Sequence, residues 1–427
     1  MAGSVKRSSP ITWLIDCLES TAGHADPRFR FTAGPMSYMV PTLVGVALLA
    51  VSIVVGWSET VREQFYFSWL VGWSFCLSLS LGALFLVLIK HLTKAHWIVA
   101  VRRIPEALAW SFPLLAVLFI PVLIGLFDQS HGLYHHWTQA GIADPADPHF
   151  DEILAGKVAY LNVEFFVARI AVYFSIWILI SHRLYRLSLR QDVDADHATP
   201  VLQRRVSAWG LPLVALTTAF ASYDILMSLD PHWFSTIFGV YFFSGSILAA
   251  FSVTALVAMG LQRTGMLRGL VTKEHYQDLG KLMFGFVVFW AYIAFSQYML
   301  YWYGGIPEET AWFKHRLEHG WEKHSGVLLV FHFILPFLIL LPRASKRFLP
   351  LLGGMAVWLL VMQWFDHHWM AMPVLHADHA TIHWLDISCW IGLSCVFFGA
   401  FVWRLSRHPL VPQRDPFLER SLRFENY

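Results

Sequence analysis

The hydrophobic positions of this chain gather into ten long apolar runs, and most polar residues fall in the segments between them. The runs lie near 37–56, 66–89, 107–127, 158–180, 209–228, 236–260, 281–303, 325–342, 348–365 and 384–403. About 20 residues rising 1.5 Å each cross the hydrocarbon core of a bilayer, so each run predicts one spanning helix. The ninth is the least regular, being short and carrying Pro350 at its start. The expected fold class is therefore an all-α integral membrane protein of ten transmembrane helices. Its parts are an N-terminal tail over 1–36, one membrane domain over 37–403 with outer loops at 128–157, 304–324 and 366–383, and a C-terminal tail over 404–427.

Charge placement orients these spans. The two tails and the loops near 90–106, 181–208, 261–280 and 342–348 hold 24 of the 31 Lys and Arg residues, whereas the alternate loops hold only Arg62, Lys157, Lys314, Arg316 and Lys323. Short cytoplasmic loops carry the cationic excess, so both termini are expected in the cytoplasm. Histidine has the opposite bias, with 14 of 21 in the outer loops or the outer halves of spans, so protonatable groups gather on the outer face.

Composition narrows the class further. The 56% hydrophobic and 14% charged residues argue against a soluble globular domain. A net charge of +2 gives no reason to expect a nucleic-acid partner, and the 20 Trp and 14 Tyr suit interfacial belts beside the lipid. Cys17, Cys76, Cys389 and Cys395 form neither CxxC nor CxxCH, which argues against iron–sulfur, covalent haem or a disulfide framework. The first residues lack an apolar core followed by a small-residue cleavage site, so no cleavable leader is expected.

Ionisable residues inside the runs are the candidates for function. Span four, in LNVEFFVARIAVYF, carries Glu164 and Arg169, and an ionised side chain at a helix centre costs roughly 2.5–3.5 kcal/mol on insertion scales. The two are five residues apart, about 140° around a helix, too far round for a good bond along one face, so each is expected to find a partner elsewhere. Asp224, near the outer end of span five, falls at about the depth of Glu164. Two carboxylates at one level with Arg169 deeper can form an outward-opening polar track, either proton-conducting or beside a quinone head group; a structural ion-pair network is the alternative. After Asp224 the chain leaves the membrane on Asp230-Pro231-His232-Trp233. Pro231 disfavours helix, and Trp233 and His232 suit the head-group region.

In span seven, Lys281 near the inner end can snorkel to the surface, Gln297 can join helices, and Tyr292 lies in the outer half. The outer segment FDHHWMAMPVLHADHATIHW contains His376, His379 and His383 in an HxxHxxxH spacing, with Asp366, His367 and His368 nearby. Nothing in that segment fixes a tetrahedral shell, so a solvated, titratable loop is expected rather than a metal site. His332 is the only histidine placed well inside a predicted span, which argues against a haem held by two histidines.

Four stretches, YLNVEFFVARIAVYF, FASYDILMSLDPHWFSTIFGVYFFSGS, YQDLGKLMFGFVVFWAYIAFSQYMLYWYGGIPEET and HPLVPQRDPFLERSLRFENY, carry a close resemblance that extends over nearly the whole chain. They resemble the NrfD-like family of polysulfide-reductase membrane subunits, in the form of the smaller quinone-reductase-type subunit of bacterial Alternative Complex III, a quinol:cytochrome c (or oxidase) oxidoreductase. The resemblance implies that spans two to five and six to nine form two four-helix bundles with two flanking helices. It implies a bacterial inner-membrane complex with a larger related quinol-binding subunit, an iron–sulfur and molybdopterin-enzyme-like subunit, multihaem cytochrome c subunits and, in some assemblies, a terminal oxidase. The cofactor implied is a quinone, menaquinone or ubiquinone, with no metal or haem on this chain. Carried over residue by residue, Glu164, Arg169 and Asp224 occupy the family's intramembrane polar positions, and Lys281, Tyr292 and Gln297 lie in its span-seven motif. Two features depart from the family pattern. Glu164 stands where a small residue or proline is expected, and DHHWMAMP after span nine brings extra histidines.

The expected function is thus a membrane subunit of a quinol-oxidising respiratory complex, without activity as an isolated chain. Asp224, Glu164 and Arg169 would form its polar track, with Asp230 and His232 at the outer exit. The rivals are a secondary transporter, which usually shows broken helices near the midplane, and a purely structural anchor.

Overall fold

A computed structural model describes residues 29–128, 130–193 and 198–425. Ten helices among them are long and apolar enough to cross a membrane. They are α1 (Met36–Gly56), α2 (Arg62–Thr93), α3 (Arg103–Phe127), α4 (Val163–Val193), α5 (Ala198–Leu229), α6 (Phe238–Arg263), α7 (Lys273–Gly304), α8 (Trp321–Leu340), α9 (Leu349–Leu375) and α10 (Trp384–Ser406). The chain is an integral membrane protein by this architecture, and no strand occurs among the described residues.

Packing closes two rings of four. In the first, α2 packs on α3 and α5, and α4 completes the ring between them; in the second, α6 packs on α7 and α9, and α8 completes it. The rings meet where α2 packs along α6, and these two helices are almost wholly buried. Small residues allow this approach. A Cβ built on Gly82 of α2 would stand 2.0 Å from the Ser246 carbonyl oxygen of α6, so only glycine permits the observed spacing. The remaining helices form an antiparallel pair, α1 on α10, through which α10 leans on α2.

The loops separate into two ends. At the basic end the C-terminal tail crosses both rings: Asp415 binds Arg102, the Ser421 hydroxyl donates to the Trp97 carbonyl at 2.7 Å, and Ser421 also lies 3.4 Å from His275 at the start of α7. At the histidine-rich end the 130–162 loop docks on the α5–α6 turn, with Lys157 donating to the Pro231 carbonyl at 2.6 Å and His232 2.7 Å from Asp151.

Several helices outrun their apolar stretches. The important case is α9, which continues to Leu375 and so carries Asp366, His367 and His368 into the buried bundle, where the sequence placed the start of an outer loop. Apolar residues resume after the polar island, in WMAMPVL, and Pro373 lies within the helix without ending it. The expectation that His332 alone lies inside a span is corrected accordingly. Helix α8 contains a π-helical segment over Leu328–Ile334, an irregularity that concentrates at functional sites.

Candidate functional site

Each four-helix ring buries a carboxylate on its last helix, and the two have different surroundings. In the first ring, Asp224 of α5 is fully buried and receives Arg169 of α4 in a two-pronged pair, Nε to Oδ2 at 2.9 Å and Nη2 to Oδ1 at 2.8 Å. The Tyr173 hydroxyl donates to Oδ2 at 2.7 Å. The third prong of Arg169 reaches the Tyr160 carbonyl, and its guanidinium lies 3.8 Å from the Tyr160 ring centre and 4.3 Å from that of Phe165. Charge is balanced and all three Arg169 nitrogens reach acceptors, so this cluster cements α4 to α5, with only the Tyr160 hydroxyl beside it lacking a partner among the described residues. Glu164 does not join it. It is exposed in the first turn of α4, where a negative charge is compatible with the helix dipole.

In the second ring, Asp366 of α9 accepts from the Tyr241 hydroxyl of α6 and from Trp290 Nε1 of α7 at 3.2 Å. No Lys, Arg or His forms an ion pair with it among the described residues. His332, brought inward by the π turn, stacks on Trp290 with ring centres 4.1 Å apart, and neither ring nitrogen has a partner. Beside this cluster lies a cavity of about 480 Å³. Its walls are largely apolar and include Trp290, Ala294 and Trp312, with Tyr241, Gln297 and Arg316 as polar points. Phe295 and Leu329, 62% and 56% exposed, mark where it meets the lipid-facing surface between α7 and α8.

Arg316 belongs to the 305–320 loop yet is 1% exposed. Its guanidinium stacks over Trp312 at 3.5 Å, and its two terminal nitrogens donate to the Trp312 and Met370 carbonyls at 2.9 and 2.7 Å, leaving Nε without an acceptor. Burial pushes its pKa down to about 9, with Asp230 acting in the opposite direction, so it stays cationic at neutral pH. Arg316 also lines a second cavity of about 250 Å³ at the histidine-rich end, together with His136, Asp230, His232 and His315. It therefore stands between a water-facing vestibule and the apolar cavity.

A third polar group runs inward from the 376–383 loop. His376 Nε2 is 2.6 Å from Gln64 Oε1, Gln64 donates to Asp386 Oδ1 at 2.8 Å, and Asp386 Oδ2 is 3.4 Å from His368 Nε2. His383 caps α10 together with Asp386, and among the described residues no group of three His, Cys, Asp or Glu stands close enough to hold a metal ion. His367 bonds Ser74 at 2.7 Å and Gln363 at 3.0 Å.

The structure thus scatters the residues expected from sequence. Arg169 and Asp224 meet; Gln297 lines the apolar cavity; Asp230 and His232 line the vestibule. Tyr292 is 64% exposed on the outside of α7, and Lys281 pairs with Asp278 at 2.9 Å near the basic end. The residues sequence reasoning missed are Tyr241, Trp290 and Arg316, and Asp366, read there as part of the histidine-rich outer loop, belongs instead to α9. One signal was available for Asp366: a three-residue polar island with apolar sequence on both sides reads as an interrupted helix. The chain matches no protein-family model, and a search of curated proteins also gave no match.

Proposed function

We propose that this chain is a membrane subunit of a respiratory quinol oxidoreductase, and that its second bundle receives the quinone head group. The supporting observation is the 480 Å³ cavity, which is largely apolar, adjoins the lipid-facing surface and is lined by two residues with unpartnered polar atoms. Its size and lining suit a lipid-soluble ring ligand. The residues fit such a group: Arg316 Nε and Gln297 Oε1 are buried with no partner, one a donor and one an acceptor. A quinol supplies two electrons and two protons when oxidised. Tyr241 both lines the cavity and donates to Asp366, so a proton given to the Tyr241 oxygen can be matched by one passed on to the carboxylate. The vestibule beyond Arg316, with three histidines and Asp230, offers acceptors leading to water. The electrons pass to redox centres on partner chains, for which the family resemblance suggests iron–sulfur and multihaem cytochrome c subunits beside a larger related membrane subunit.

The test is purification in mild detergent from the native membrane, followed by partner identification and labelling with a photoreactive quinone. The label is expected on α7 and α8 peptides and should disappear in Ala294→Trp, which fills the cavity. Labelling confined to a partner subunit, or unaffected by Ala294→Trp, overturns the assignment. A chain that purifies without redox partners overturns the respiratory reading itself.

A further inference from the structure

Independently of the quinone reading, the basic end contains a cleft whose lining, among the described residues, is more cationic than anionic. It is lined by Lys90 and His91 from the last turn of α2, by Lys94 and His96 just beyond it, by Pro200 and Arg204 of α5, and by Asp415 and Phe417 of the C-terminal tail. Three cations and two histidines thus face one carboxylate. That carboxylate is already engaged, since Asp415 binds Arg102 and accepts from the Phe417 N–H at 2.9 Å. Lys90 is only 7% exposed, and its ammonium has no hydrogen-bond or ion-pair partner among the described residues. His91, 5% exposed, likewise leaves Nε2 without a partner. Asp415 and Glu106 attract the Lys90 ammonium through space without bonding it. Lys94 and Arg204 are more accessible, and neither is paired among the described residues.

We infer that this cleft binds a phosphate group, with an anionic phospholipid head group as the source its position favours. The enclosed space, about 20 Å³, admits a single oxygen-sized group, not a whole phosphate. One phosphate oxygen therefore reaches toward Lys90 while the rest of the group sits at the rim between Lys94 and Arg204. The site terminates a spanning helix, the level at which lipid phosphates lie, and lysines and arginines at that level attract anionic lipids. His96, held by stacking on Phe417 with ring centres 4.3 Å apart, ties the site to the tail.

The test uses the full chain, with its partners where they co-purify, in nanodiscs of phosphatidylcholine containing phosphatidylglycerol, with retained lipid counted by mass spectrometry after detergent exchange. Wild type should retain phosphatidylglycerol over phosphatidylcholine. Lys90→Met and Arg204→Gln should each lower that retention roughly fivefold, the effect of one surface cation on anionic-lipid attraction. Arg204 lies at the accessible rim, so its variant reports on binding even if Lys90→Met folds poorly. In parallel, delipidated protein is titrated with inorganic phosphate. Saturable binding lost in Arg204→Gln, without lipid retention, assigns the site to free phosphate. Equal retention in wild type and both variants, with no saturable phosphate binding, overturns the inference.

Discussion

Asp224 and Asp366 show how far a residue's role depends on its partner. Removing the charge of Asp224 leaves Arg169 buried and uncompensated, a change that typically costs about 3–5 kcal/mol. Asp224→Asn should therefore lower the thermal midpoint in detergent sharply, and Arg169→Met combined with Asp224→Leu should recover much of that loss. If Asp224→Asn is as stable as wild type but alters turnover, the first cluster serves the reaction rather than the fold. Asp366→Asn should behave in the opposite way. Asparagine can still accept from Tyr241, so the fold should lose only about 1 kcal/mol, while quinol turnover of the assembled complex should fall roughly 10²-fold if the carboxyl group transfers protons. Thermal melts and turnover measured on the same preparations separate these outcomes.

At the scale of elements, the seam between the two rings and the tail that crosses them make separate predictions. Gly82→Ala should destabilise by about 1–3 kcal/mol or more, because the new methyl group meets a backbone carbonyl that cannot move aside. Gly260→Ala on α6, where a Cβ meets open space, should be silent. The tail should respond to pH through His408, which packs edge-on against Tyr185. Burial, reinforced by Arg404, Arg103 and Arg407, brings its pKa down from 6.5 to about 4. Above pH 6.5 the ring is neutral whether docked or released. As pH falls from 6.5 toward 4 the released form takes up a proton that the docked form does not, so docking weakens over that window. Proteolysis at Arg414 and Arg420, normalised to a free peptide, should be faster at about pH 5 than at about pH 7.5, and His408→Phe should shrink the difference, the remainder coming from His96, which burial against Phe417 also holds below the usual histidine range.

Over the whole molecule, the two rings share one helix order yet differ in chemistry. The first closes its polar cluster with an internal ion pair; the second leaves its carboxyl group beside a cavity, a π turn and a buried arginine. This division locates the proposed function in the second ring, although the strongest intramembrane charges in the sequence lie in the first.

The sequence by itself determined the number of spans, the separation of basic and histidine-rich loops, and the presence of ionisable groups at membrane depth. Those properties accumulate over about 20 consecutive residues and need no knowledge of neighbours. It also brought Gln297, Asp230 and His232 into consideration, since polar residues within or beside apolar runs stand out locally. Only the tertiary structure decided which groups are spent and which are available. Arg169 reaches Asp224 because α4 and α5 are rotated to face each other, and Glu164 is left outside for the same reason. Arg316 lies in a segment that reads as a surface loop, and it is buried because Trp312 of its own segment and Trp369 and the Met370 carbonyl of α9 close on it from two sides. Asp366 lowered the local hydropathy enough to end the ninth span early, whereas the packed bundle supplies the Tyr241 and Trp290 donors that allow a carboxyl group there. Such pairings arise between residues far apart in the chain, and local pattern carries no record of which helix faces will meet.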